Sequence, residues 1–211
     1  MKYIITTAIA AMGLMSCGST KQAVLLPLEQ AVKTLYNPQS ERYDEEGFIA
    51  YAQKLLASGA DNATKARAAT LLADAMKNRL HTAAADFSYK LKDGSSHRLS
   101  DIEAEYTVLF FNNPDCEECG EIKHAIAESA EIDALVKAKK LAILGVCPLS
   151  MSEEWPLAVY PPQMVNGLDA TGEVEDSLYD LRTIPMLYLL YSKKNVVLKN
   201  TTLENILNTI R

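Results

Sequence analysis

The sequence predicts an α/β protein, with a central mixed sheet flanked by helices and preceded by a small all-helical region. Two changes of hydrophobic period carry this prediction. From residue 23 to about residue 80, apolar residues recur at helical spacing and alanine is abundant. From about residue 84 the pattern becomes alternating. It then breaks into apolar runs at Thr107–Phe111, Leu141–Val146 and Met186–Tyr191, separated by helical stretches. Such runs fit strands covered on both faces.

In the first part, Leu25, Leu28, Val32 and Leu35 share a helical face within 23–36, and Asn37-Pro38 ends that run. Asp44 reads as an N-cap, followed by Glu45 and Glu46 in a first turn. Phe48, Ala52, Leu55 and Leu56 form its apolar stripe, and Gly59 is a suitable stop. A third helix is predicted over 62–80, with Ala68, Leu72, Ala75, Met76 and Leu80 on one face. Three helices this small should lack a complete core and pack on the rest of the chain. The charges within 38–65 read as a solvated face.

In the second part, residues 86–91 alternate before a turn at Lys92-Asp93-Gly94-Ser95, a hairpin signal. A helical turn begins at 99–102. The strand over 107–111 runs through Asn112-Asn113-Pro114-Asp115 to Cys116. Ile122, Ile126, Ile132, Leu135 and Val136 then face inward, with a break expected at Ser129 or Ala130. A strand is predicted next at 141–146, then a short helix containing Trp155 at 151–159, and a loop over 160–172, where Pro161-Pro162 and Gly167 fall. A helical turn at 175–180, strands at 186–191 and 195–198 joined by a turn at Lys193-Lys194-Asn195, and a helix at 202–210 complete the chain.

The first seventeen residues, MKYIITTAIAAMGLMSC, carry a positive Lys2 and an apolar run, Tyr3–Met15, too short to span a bilayer comfortably. This segment resembles the bacterial lipobox. The resemblance implies a signal peptide over 1–16, lipid on Cys17 and a tether over 17–22. The expected domains are then the helical region 23–82 and the α/β domain 84–211. The lipid would bind the membrane and place the protein in the bacterial envelope, facing the periplasm. The net charge of −6 and the lack of a basic run speak against nucleic-acid binding.

The order strand, short loop, Cys116-Glu117-Glu118-Cys119, helix gives these cysteines a chemical meaning. Residues three apart at a helix start lie on nearly one face, close enough to join. The first sits where unpaired N–H groups and the helix dipole favour a thiolate; the second lies one turn deeper. Cys116 is thus the candidate nucleophile and Cys119 the resolving thiol of a thiol–disulfide exchange. Thr183-Ile184-Pro185 immediately precedes a central strand, a position where proline needs a reason.

From Asp86 to Lys199 the chain resembles the TlpA/ResA-like branch of the thioredoxin superfamily. The shared pieces are DFSYKLKDGSSHRLSDI, VLFF before the cysteine motif, Trp155, Gly167-Leu168-Asp169 and LYDLRTIPMLYLL. The resemblance implies a thioredoxin-like sheet and a cis Pro185 facing the cysteines, whose preceding residue, Ile184, offers backbone groups to substrate; Thr183, Ile184 and Pro185 are the candidate substrate-binding residues. No cofactor is implied. The partners would be exported protein thiols and disulfides, and a membrane or periplasmic redox partner. Three departures stand out. Pro114-Asp115 precedes Cys116 where many members are aromatic, Phe110 and Phe111 replace a buried carboxylate, and Ile122 stands where a glutamate is found.

Glu117 and Glu118 oppose the helix dipole. At ~7 Å in water each costs a Cys116 thiolate about 0.6 kcal/mol, against a dipole contribution of about 0.3–1 kcal/mol. A less acidic thiol goes with a more reducing couple, which favours a reductant or isomerase over a primary oxidase. The alternative is a non-enzymatic binding or scaffold lipoprotein with a structural disulfide. Zinc has little support, since only His124 and Cys147 could join the pair. Cys147 reads as a buried inert thiol, with a third redox thiol as the alternative. Trp155, Tyr179 and Tyr188 read as packing groups.

Overall fold

The computed structural model describes residues 25–211; the lipidation reading at Cys17 and the signal at 1–16 lie outside the described residues. A seven-stranded mixed sheet has the order β2-β1-β5-β4-β3-β6-β7. The strands are β1 (Ser88–Lys90), β2 (Ser96–Arg98), β3 (Tyr106–Phe111), β4 (Leu141–Cys147), β5 (Val165–Leu168), β6 (Met186–Leu190) and β7 (Val196–Thr201). β3 pairs in parallel with β4 and antiparallel with β6. Helices α4 (Glu117–Glu128), α5 (Ala130–Lys137) and α6 (Leu203–Ile210) flank the sheet. The small all-helical region precedes it, with α1 (Leu28–Ala31), α2 (Glu45–Leu56) and α3 (Asn62–Ala75).

Alternation along the strands sorts the core into two layers. Val108, Phe110, Ile143, Leu187 and Leu189 meet Cys119 and Ile126 of α4, Ile132 of α5 and Ile206 of α6. Leu109, Phe111, Leu144, Val146, Met186 and Tyr188 point the other way, against Phe87, Leu99, Val174 and Tyr179. The break between α4 and α5 falls at Ser129, whose hydroxyl accepts from the Ile132 N–H at 3.2 Å. Trp155, Tyr179 and Tyr188 are buried packing groups.

Several expectations are corrected. The loop expected over 160–172 contains strand β5, which pairs with β4 and ties the hairpin into the sheet. Gly167 there reads as a breaker, yet it is a close-packing point. A Cβ at this position would come within 2.8 Å of the Tyr89 ring, the positional use of glycine inside a strand. The first helix begins after Pro27 and closes in a five-residue π-helical turn, Val32–Tyr36. The third helix ends at Ala75, not at 80, because Asn78 adopts a left-handed conformation (φ 48°). The Asn78 side chain donates to the Leu178 carbonyl at 2.8 Å and accepts from the Ala85 N–H at 2.7 Å. The short helix expected over 151–159 is two 3-10 turns, Leu149–Met151 and Trp155–Leu157.

The helical region also has an apolar cluster of its own, built on Leu28, Tyr36, Phe48, Ile49, Ala52, Leu55 and Ala68. It meets the sheet through polar groups. Asp44 caps α2 as expected, accepting from the Gly47 N–H at 2.9 Å. The solvated reading of the nearby charges fails at Glu45, which is paired with Lys199 of β7 at 2.7 Å and largely buried. The reason is tertiary: the first turn of α2 abuts the sheet edge.

Candidate active site at the cysteine pair

Strand β3 delivers the chain to the cysteines. Its buried run ends at Asn112, whose N–H donates to the Val146 carbonyl at 3.0 Å. An Asx turn comes next, in which Asn113 Oδ1 accepts from the Asp115 N–H at 3.1 Å. Cys116 is the N-cap of α4, and its sulfur accepts from the Cys119 N–H at 3.1 Å. A helix N-terminus offers donors and a positive field, which favour negative charge on that sulfur. Cys116 and Cys119 form a disulfide with their Cα atoms 5.2 Å apart. Cys116 is half-buried and Cys119 fully buried, so one sulfur of the pair is open to a partner and the other is shielded.

Strand register brings the remaining pieces to the same end of the sheet. Phe111 pairs with Met186 on one side and Val146 on the other. Asn112, Pro185 and Cys147 therefore lie level with one another where β3 runs out towards Cys116. The Ile184–Pro185 bond is cis. Ile184 packs on the same apolar cluster as Cys116 and Cys119. Thr183 and Pro185 are half-buried beside it.

Three residues at this end escaped the sequence reading. Asn112 is fully buried; its side chain donates to the Phe110 carbonyl at 3.0 Å and accepts from the Tyr160 hydroxyl at 2.6 Å. Lys123, one turn beyond Cys119, places its ammonium 4.9 Å from the centroid of the Tyr160 ring. Burial lowers the Lys123 pKa. The i, i+4 spacing from Cys119 was the available signal for Lys123, since Ile122 drew the comparison with a carboxylate. The buried carboxylates among the described residues, Asp169 and Asp180, are both engaged by their own partners. Cys147 is a free, buried thiol lying against the Met151 carbonyl at 3.4 Å. Burial pushes its pKa up to about 12, Glu175 adds to this and Lys123 opposes it.

A disulfide at the start of a helix after a buried strand, level with a cis proline, defines a protein of the thioredoxin class. Comparison with solved structures agrees. A thioredoxin-like protein from Bacteroides caccae matches with a TM-score of 0.82 at 35% identity, over 87% of this chain and 68% of that one. The C-terminal domain of a Bacteroides fragilis protein matches with a TM-score of 0.60 at 38% identity, over 63% of this chain and 97% of that one. The thioredoxin domain of a thiol-disulfide oxidoreductase from Bacteroides vulgatus shares the fold, with a TM-score of 0.51 at 19% identity over 63% of this chain and 95% of its own. No protein-family model and no curated protein matches the sequence. The chain belongs to the thioredoxin-like family.

Proposed function

We propose that the protein performs thiol–disulfide exchange on exported proteins, as a reductant or isomerase of the TlpA/ResA-like kind. It would be anchored in the bacterial envelope by lipid on Cys17 and face the periplasm. The observation that carries the chemistry is the half-open Cys116 sulfur at the N-terminus of α4, bonded to the shielded Cys119 and level with Pro185.

In the reductive direction, the Cys116 thiolate attacks one sulfur of a substrate disulfide. The substrate's other sulfur leaves as a thiolate and takes a proton from water. Cys119 then loses its proton and attacks the Cys116 sulfur, releasing the second substrate thiolate. Two electrons have passed to the substrate and Cys116–Cys119 is oxidised. Thr183, Ile184 and Pro185 form the loop on which the substrate chain lies. The cysteines carry the electrons, so no cofactor is needed. A membrane or periplasmic dithiol partner restores the reduced pair.

One observation favours the other reading, a binding or scaffold lipoprotein with a structural disulfide: both buried carboxylates are committed away from Cys119. The reduction potential of the couple, measured without residues 1–17, separates the two. A value of roughly −120 to −270 mV is expected for a catalytic couple, its more negative half for a reductant, whereas one below about −300 mV fits a structural disulfide and overturns the proposal. Cys116→Ser should abolish turnover.

A further inference from the structure

The residues immediately before Pro185 have little structure of their own. Among the described residues, no backbone–backbone hydrogen bond is made by residues 180–184. Leu181 and Ile184 pack on the two apolar clusters of the sheet, and the Arg182 N–H donates to Asp180 Oδ1 at 3.4 Å. The loop's polar contacts to the rest of the chain come from the helical region, some 140 residues away in sequence. The Tyr36 hydroxyl donates to Asp180 Oδ2 at 2.7 Å. The Arg182 guanidinium lies over the Tyr36 ring, 3.1 Å from its centroid, and donates to the Tyr36 carbonyl at 3.0 Å. Arg182 also pairs with Asp180 at 2.8 Å and with Glu45 at 3.3 Å. Tyr36 is itself stacked on Phe48, their ring centroids 4.3 Å apart, which ties the contact to the core of the helical region. A cavity of about 390 Å³ lies between α3 and the loop, with Asp74 and Lys77 on one wall and Arg182 and Ile184 on the other.

We propose that the helical region positions the substrate site without forming part of it: through Tyr36 and Glu45 it helps hold the loop 180–184 in place for Pro185 to receive an extended polypeptide that carries a disulfide. This rests on the thiol-exchange reading above and adds to it the residues that position the substrate loop. A small disulfide needs only the open sulfur of Cys116. A polypeptide also needs backbone groups presented at a fixed place beside that sulfur, and a loop without backbone–backbone bonds relies on its side-chain contacts, those to Tyr36 and Glu45 among them, to present them. Tyr36 and Glu45 are positioning residues; neither reaches the sulfurs.

The test compares the full chain with Tyr36→Phe, which keeps the ring under Arg182 and on Phe48 and removes only the hydroxyl. Insulin, with dithiothreitol as electron donor, is the polypeptide substrate; 5,5′-dithiobis(2-nitrobenzoate) is the small one. Arg182→Lys, which keeps the charge but loses the planar contacts, is the second variant, and thermal unfolding confirms that both variants are folded. The expected result is an insulin KM raised about tenfold, the loss of a charge-assisted hydrogen bond. The small-disulfide rate and the reduction potential should be unchanged, and the amides of 180–184 should exchange hydrogen faster. Insulin kinetics unchanged in both folded variants, or a proportional fall on both substrates, overturns the inference alone. A wild-type chain that reduces neither substrate overturns the thiol-exchange reading, and this inference with it.

Discussion

The sheet and the helical region are built alike inside and joined by something different. Each has its own apolar packing, the sheet in two layers around Phe110 and Leu144, the helical region in one cluster around Phe48 and Ala52. Where they meet, ion pairs and hydrogen bonds make the contact. Lys199, with 2% of its side chain exposed, pairs with Glu45 and donates to the Ala75 and Lys77 carbonyls at 3.2 and 2.7 Å, closing the end of α3. Asn200 donates to the Tyr43 hydroxyl at 2.8 Å, and Arg182 bridges Glu45 and Asp180. An apolar contact tolerates small shifts of its partners, whereas hydrogen-bonded charges have few arrangements that satisfy them all. The difference teaches that this joint sets orientation more than it adds burial.

The largest expected effect comes from breaking the joint on one side only. Glu45→Ala leaves Lys199 a buried, unpaired charge and should cost about 3–5 kcal/mol in urea unfolding. Replacing both partners, Glu45→Leu with Lys199→Met, should recover most of that loss, because burying two charges is itself costly. If the double variant is as unstable as the single one, the joint is a source of stability and the comparison fails.

Cys147 tests whether the joint opens separately from the sheet. Its thiol lies beneath Pro148 and Met151, which also line the cavity beside α3. With burial pushing its pKa up to about 12, it holds far fewer thiolates at pH 8 than an unburied cysteine. Iodoacetamide should therefore spare Cys147 in the folded protein while reacting with Cys116 of the reduced pair. In Glu45→Ala, faster labelling of Cys147 under conditions where the sheet amides remain protected would show the joint opening alone. Labelling that tracks global unfolding would show a single cooperative unit.

Local signals made much of this molecule legible. The apolar runs of β3, β4 and β6, the strand–loop–helix order around Cys116 and the proline just before β6 are each contained in a few residues. The break at Ser129 and the cap at Asp44 are equally local. β5 was not legible, being four residues long and carrying a glycine whose purpose is the ring of Tyr89 on another strand. The joint was least legible of all. Tyr36 and Asp180 are 144 residues apart, and nothing near Glu45 distinguishes it from a solvated helical charge. The partnership of Asn112 with Tyr160 is likewise a product of the fold, since the two are 48 residues apart.

The smallest effect lies one residue before the largest. Asp44 caps α2 and Glu45 is its first residue, so the cap and the joint share a turn. Asp44→Ala removes an N-cap side chain and should cost about 1 kcal/mol. If cap and joint are independent, this cost adds to that of Arg182→Lys. If the cap serves to hold Glu45 where Arg182 and Lys199 meet it, the double variant should lose less than the sum, because either change alone already loosens the same contact. Unfolding of the two single variants and the double variant supplies the coupling, and a departure from additivity above about 0.5 kcal/mol would place Asp44 within the joint.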